Sequence, residues 1–136
     1  MTNQPHRIIT VGSRNWHDKS IIWEALTEAW SDISEDREIV VAHCDSTYVD
    51  DQARIWARWH HAKAEPHPAE GFGPEPDASH RRDAHLVSLG ADQCLVFISP
   101  CVETDCAQPQ PHGSHGATRL AALAEAAGIP VRKWTA

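Results

Sequence analysis

No stretch of this 136-residue chain reaches the run of about 18 apolar residues that a membrane-crossing helix requires. Positive charge is also short, with 12 Lys and Arg against 19 Asp and Glu and a formal charge of -7. Gripping a nucleic-acid duplex depends on an excess of Lys and Arg to neutralise phosphates, so nucleic acid is not an expected partner. A local cationic pocket stays compatible with this balance. The opening MTNQPHRIITVGSRNW lacks the charged, apolar and cleavage segments of a signal peptide. With no export signal, the four cysteines are expected as thiols in a reducing cytoplasm rather than as a disulfide scaffold. Internal repeats and low-complexity tracts are missing too. Phe and Tyr are scarce, at two and one.

Trp and His are plentiful instead. Six Trp, most of them on expected helices, read chiefly as core packing or an interface, and a homodimer would cover such faces. Ten His, if all protonated, would turn -7 into +3, so the net charge reverses somewhat below neutral pH. Hydrophobic residues at 41% and charged residues at 23% suit one globular domain over residues 1–136.

Apolar runs alternate with amphipathic stretches along the chain. Residues 7–11 (RIITV) read as a buried strand. Asp18 can cap a helix whose buried face carries Ile22, Leu26, Ala29, Trp30 and Ile33. Residues 38–42 (EIVVA) form a second strand, and a helix from 50 to about 65 aligns Ala53, Trp56, Ala57, His60 and Ala64. Residues 66–76 hold four Pro and two Gly, which bars regular helix or an interior strand and marks 66–77 as an insertion. A helix over 79–89, a strand over 93–98, a polar loop over 99–114, a helix over 116–127 and a strand over 130–134 complete the chain, with Gly90 and Gly128 as helix stops. This alternation predicts an α/β, Rossmann-like parallel sheet with helices on both faces. Ligands of such sheets sit beyond the carboxyl ends of the strands, where the unusual loops of this sequence fall.

Three of those loops carry ligand-binding chemistry. In the first, Gly12, Ser13 and Arg14 follow the first strand; glycine allows a tight turn, and the guanidinium can grip a phosphate by two bonds. The second runs from His43 to Asp50, where Asp50 serves either as a helix cap or as a ligand contact. The third holds Gly113, Ser114, Gly116 and Thr118 before the last helix, whose free amides favour an anion. Arg81 and Arg82 near a helix start face the dipole unfavourably, so one of them, with Arg82 preferred, should meet an anion. Trp16 and Trp56 fit either core packing or stacking on a base.

The order of these segments resembles a bacterial domain family of unknown function in the SLOG superfamily, related to the DNA-processing and cytokinin-activating "lonely guy" proteins. Val11-Gly12-Ser13-Arg14-Asn15-Trp16 is similar to the family's T-G-S-R-D-W opening. His43, Asp50, Trp56 and Ala57 match its H-G-G-A-R-G-A-D segment and following helix. Arg82-Asp83 stands at its Arg-Asn, residues 113–118 match its G-S-x-G-T loop, and residues 126–132 match its tail. The resemblance implies a Rossmann-like fold that binds a nucleotide or a nucleotide derivative, within a superfamily of nucleotide hydrolases, DNA binders and nucleotide sensors of phage defence. It departs where the family has Gly-Gly-Ala-Arg-Gly, because Cys44-Asp45-Ser46-Thr47-Tyr48 puts side chains in place of bare backbone. The lonely-guy hydrolases follow P-G-G-x-G-T with a glutamate, whereas Arg119-Leu120-Ala121 follows here and the next acid is Glu125.

Outside that pattern, Cys101, Cys106, His112 and His115 are spaced C-x4-C-x5-H-x2-H. Two thiolates and two imidazoles make a closed tetrahedral set for structural zinc, with Pro109 and Pro111 stiffening a metal-binding loop over 99–115; the alternative is two plain thiols among surface histidines. His80 could compete and leave a water-activating site. Cys94 reads as core, and Cys44 as a free thiol near the ligand. The expected function is a nucleotide-binding or sensing module, with Arg14 and Arg82 neutralising phosphate and Asp50 or Asp83 accepting from ribose or base. Its first rival is an N-glycosidic hydrolase with Asp50 or Asp83 as catalytic acid. The second is a zinc-stabilised interaction domain that binds no ligand.

Overall fold

The computed structural model describes residues 4–33, 36–45, 47–108 and 110–136. Ser46, Pro109 and the first three residues of the opening lie outside the described residues. Five strands, β1 (His6–Gly12), β2 (Ile39–His43), β3 (Lys63–Pro66), β4 (Gln93–Ile98) and β5 (Val131–Thr135), alternate with four helices, α1 (Lys19–Ser31), α2 (Tyr48–Trp59), α3 (Asp77–Ser88) and α4 (His115–Ala126). Every strand pair is parallel, in the order β3-β2-β1-β4-β5. On central strand β1, Ile8 faces Val41 of β2 on one side and Gln93 of β4 on the other. The expected Rossmann-like α/β arrangement is the fold.

Burial on both faces explains why the central strands read as continuous apolar runs. Side chains alternate between two cores. Ile8, Val41, Leu95 and Phe97 pack with α1 and α2, while Ile9, Ala42, Val96 and Ile98 pack with α3 and α4. Asp18 caps α1, its carboxylate accepting from the Ile21 amide at 3.3 Å. That helix buries Ile22, Ala25, Leu26 and Ala29, but Trp30, expected on the same face, is 41% exposed. Trp56 is fully buried and donates to Thr27 Oγ1 at 3.1 Å. Among the described residues, no helix is long and apolar enough to cross a membrane.

One element differs from the sequence expectation. The helix expected over 50–65 ends at Trp59, and Lys63–Pro66 forms the edge strand β3. His60 stacks on Trp56 at 4.1 Å, and His61 takes a φ of 55°, which a helix cannot carry. Ala64 had fitted the helical face because it packs against the same core, from the strand instead. Pro66 closes the strand, a position open to proline only at a sheet edge.

Arg7 of β1 reaches across β2 to hold β3, donating from Nη1 and Nη2 to both oxygens of Glu65 at 2.8 and 2.9 Å. His67 adds a contact to Glu65 at 2.7 Å. The Arg7 bonds, aided by His67, hold the Glu65 carboxyl down to about 2. A depressed folded value gives stability that is present above the ordinary carboxylate range and lost as pH falls toward the folded value. In urea titrations, the stability gap between the parent and Glu65→Gln should therefore be full at pH 6 and shrink steadily between about pH 4.5 and 2.

Candidate functional site

The strand order reverses between β1 and β4, and a cleft of about 560 Å³ opens at their carboxyl ends. The chain turns out of β1 through Gly12, where a Cβ would lie 2.5 Å from Val49 Cγ2 and 3.0 Å from the Phe97 carbonyl oxygen. Only glycine lets α2 approach the sheet this closely. Ser13 is 3% exposed; its amide donates to Phe97 O at 2.9 Å, and its hydroxyl accepts from the Ser99 amide at 2.8 Å. That hydroxyl also bonds the Ser114 hydroxyl, joining the turn after β1 to the start of α4. Gly113 makes a second close approach, since a Cβ there would lie 2.5 Å from Ile98 Cγ2.

Two helices present uncapped N-termini to this cleft. Neither Pro76, before α3, nor Ser114, before α4, provides a side-chain cap. Asp18 and Thr47 do so for α1 and α2. Residues from the first turns of both α3 and α4 line the cleft, and space is open where Gly116 would carry a Cβ. The first turns of both helices, which carry the positive helix ends, therefore border one volume.

Three guanidinium groups join them. Arg14 lies exposed at the rim. Arg82 is 7% exposed; it donates from Nε to Asp83 Oδ1 at 2.8 Å and from Nη1 to the His67 carbonyl at 3.2 Å. No bond among the described residues engages its Nη2. Arg119 of α4 donates from Nη2 to the other Asp83 oxygen at 3.3 Å, and its buried Nε has no partner among the described residues. The anion expected beside Arg82 is thus in the first instance Asp83, its own neighbour.

Eight of the expected ligand residues line the cleft: Gly12, Ser13, Arg14, Asp50, Arg82, Asp83, Ser114 and Gly116. Three do not. His43 is 2% exposed, with Nδ1 bonded to Cys44 O at 2.5 Å. Gly113 is engaged in a bridge to Pro100, and Thr118 sits behind Gly113, its Oγ1 3.0 Å from a Cβ built there. Trp16 and Trp56 belong to the core and also lie away from the cleft. Sequence reasoning missed Arg119, although it falls on the face of Gly116, three residues on. It also missed Glu75, which accepts from the Ser79 hydroxyl at 2.7 and 2.9 Å on the opposite wall.

The candidate acids have structural engagements. Asp50 completes a capping box: one oxygen accepts from the Cys44 amide at 3.0 Å, the other from the Thr47 amide and hydroxyl at 3.0 and 2.9 Å. Of the two roles open to Asp50, the cap is filled. Cys44 lines the cleft as well, but burial and then the Asp50 charge push its thiol up to about 12, so it is no nucleophile. Burial alone dominates at Cys94, also at about 12, as a core thiol should be.

On the rim, Cys101, Cys106, His112 and His115 bring their ligand atoms within 4.8 Å of one another and could hold a metal ion. His112 Nδ1 donates to Gln110 O at 2.7 Å, and His115 Nδ1 lies 3.1 Å from Glu103 Oε2. Each ring thus directs a bare Nε2 inward, an orientation that outer partners impose on metal-binding histidines. Cys101 and His115 line the cleft; Cys106 and His112 do not, and neither does the expected competitor His80 join the cluster, although it lines the far wall.

Replacing Asp83 should separate a structural role from a purely catalytic one. Truncating one partner of a buried ion pair costs about 3–5 kcal/mol, so Asp83→Ala should lose that much in urea unfolding, whereas a residue serving chemistry alone would leave stability unchanged.

Compared with known proteins, the model of the YspA, cpYpsA-related SLOG family matches residues 6–71, which run from β1 past β3. The Gene 61 protein of Mycobacterium phage D29 is 31% identical over 104 residues, covering 67% of this chain and 75% of the phage protein. The cluster of Cys101, Cys106, His112 and His115 lies beyond the family match. The chain belongs to the YspA, cpYpsA-related SLOG family.

Proposed function

We propose that this protein binds a phosphate-bearing nucleotide or nucleotide derivative in the cleft at the β1–β4 switch, as a sensing module rather than a hydrolase. The observation that carries this reading is Arg82, a residue only 7% exposed that lines the cleft with Nη2 unengaged among the described residues. Burying a charge is costly unless bonds compensate it, and Asp83 with the His67 carbonyl takes only part of the donor set. A phosphate oxygen is the natural further acceptor, because the guanidinium fork matches it. Membership in the SLOG family, which points to nucleotide-related function, supports the same class of ligand.

The hydrolase reading is weaker, since the oxygens of Asp50 hold a loop and those of Asp83 hold two arginines. The reading as an interaction domain without ligand fits the missing glycines but leaves the convergence of Arg14, Arg82 and Arg119 without a purpose.

Zinc is the ion for the rim cluster in this reading. With Zn–S near 2.3 Å and Zn–N near 2.0–2.1 Å, a tetrahedron has S···N edges of about 3.5 Å and N···N edges of about 3.3 Å. The four atoms show S···N separations of 3.5, 3.4 and 3.4 Å and an N···N separation of 3.2 Å. Soft thiolates beside imidazoles select zinc over magnesium or calcium. Four protein ligands leave no open position, which makes the role structural.

A thermal-shift panel of nucleoside mono- and diphosphates should raise the melting temperature of the parent, and Arg82→Ala should abolish the response. Assays for released base on the same panel should stay at background. Release that Asp50→Asn abolishes would replace the sensor with the hydrolase. Elemental analysis should find about one zinc per chain, lost in Cys106→Ala.

A further inference from the structure

We propose that zinc at Cys101, Cys106, His112 and His115 assembles one wall of the anion cleft, so that occupancy of the metal site and affinity for the anion are thermodynamically linked. The inference rests on the anion-binding reading above and adds the regulation of that site.

The first argument is the division of the ligands. Cys101 and His115 line the cleft, while Cys106 and His112 belong to the outer loop, so the ion ties cleft wall to loop. The second is how little else holds the segment. Among the described residues between β4 and α4 there is neither helix nor strand, and none of those from Cys101 to Gly116 is buried. Apolar packing therefore contributes almost nothing to its order, and ordering such a loop costs about 1–2 kcal/mol per residue in backbone entropy alone. The base is pinned where Cys101 N donates to His112 O at 2.8 Å and Ser114 N to Ser99 O at 2.9 Å. Beyond that base, among the described residues, the loop is tied to α4 by the Glu103–His115 contact and by the four-residue metal cluster.

The third argument is where the cross-link ends. His115 is the first residue of α4, and the hydroxyl of Ser114 before it pairs with the Ser13 hydroxyl rather than with its own helix. Binding His115 fixes the first turn, whose Gly116 and Ala117 line the cleft, with Arg119 three residues on from Gly116. With the metal removed, Cys101 and His115 lose their common anchor and this turn can fray, as uncapped helix ends do. Linkage is reciprocal: an anion seated against the ordered turn tightens zinc by the same factor by which zinc tightens the anion.

The test uses zinc and inorganic phosphate on the full chain. Phosphate binding is measured by equilibrium dialysis on zinc-loaded protein freed of excess metal and on chelated protein, with hydrogen exchange followed over residues 99–117. Phosphate should bind about tenfold more weakly after chelation, a coupling of the usual size between linked sites, and protection over 99–117 should drop. Cys106→Ser, which removes a ligand that does not touch the cleft, should weaken phosphate to the same extent with the helices intact by circular dichroism. Equal phosphate affinity with and without zinc, or unchanged protection, overturns the linkage and leaves the anion reading standing. Failure of phosphate to bind even the zinc-loaded protein overturns both. If Cys106→Ser does not fold, the comparison of loaded with chelated parent protein decides alone.

Discussion

The molecule depends on one topological constraint, the placement of β1 and β4 side by side at the centre of a wholly parallel sheet. Parallel neighbours require crossovers, and crossovers of one hand carry successive helices to opposite faces when the strand order reverses. The loops leaving β1 and β4 therefore diverge, and a gap opens between them. Arg14, Arg82 and Arg119 all lie around that gap. Gly12 and Gly113 are the sites where backbone comes too close for a side chain, and both flank it. The paired hydroxyls of Ser13 and Ser114 stitch its two rims together.

Electrostatics within the gap is a matter of arrangement rather than of net charge. The chain as a whole is acidic, and four carboxylates line the cleft: Asp50, Glu75, Asp83 and Glu103. Each, however, is tied to a donor of the protein: the α2 cap, the Ser79 hydroxyl, two arginines and His115. Asp83 is decisive, because it holds Arg82 and Arg119 at a shared carboxylate and keeps two mutually repelling cations on one side of the cavity. Cations and carboxylates are thus interleaved around the cavity, with Asp83 shared by the guanidinium groups of Arg82 and Arg119.

The sequence was informative wherever a signal was local. Strand β4 matches its expected span residue for residue, because an uninterrupted apolar run bounded by polar residues has few other uses. The Asp18 cap and the glycine stops after α3 and α4 were legible for the same reason. Strand β3 was not, since four residues with one clear apolar position carry no period of their own and Ala64 continued the helical spacing. At the site, the glycine turns and Arg82 could be read from motif order, whereas Arg119 could not be seen as a partner of Asp83 across 36 positions of chain. His43 sat within a matching motif yet turned inward, because a motif gives position and only the packed structure gives direction. The Cys/His cluster that could hold a metal ion was visible from its spacing alone, since all four residues come from one loop and the helix start it leads into.

The short edge strand has a consequence for how copies of this protein can meet. An open parallel sheet offers two borders for strand addition, and such borders invite uncontrolled stacking of chains. On the β3 side, the row of available amides ends after four residues at Pro66, which has none to give, and the strand opens on an exposed lysine. The clamp from Arg7 to Glu65 also draws that border toward its own sheet. Growth of a fibrous ladder from this flank is thereby discouraged by local chemistry, and a second chain seeking the sheet would have to approach from the opposite flank, along β5.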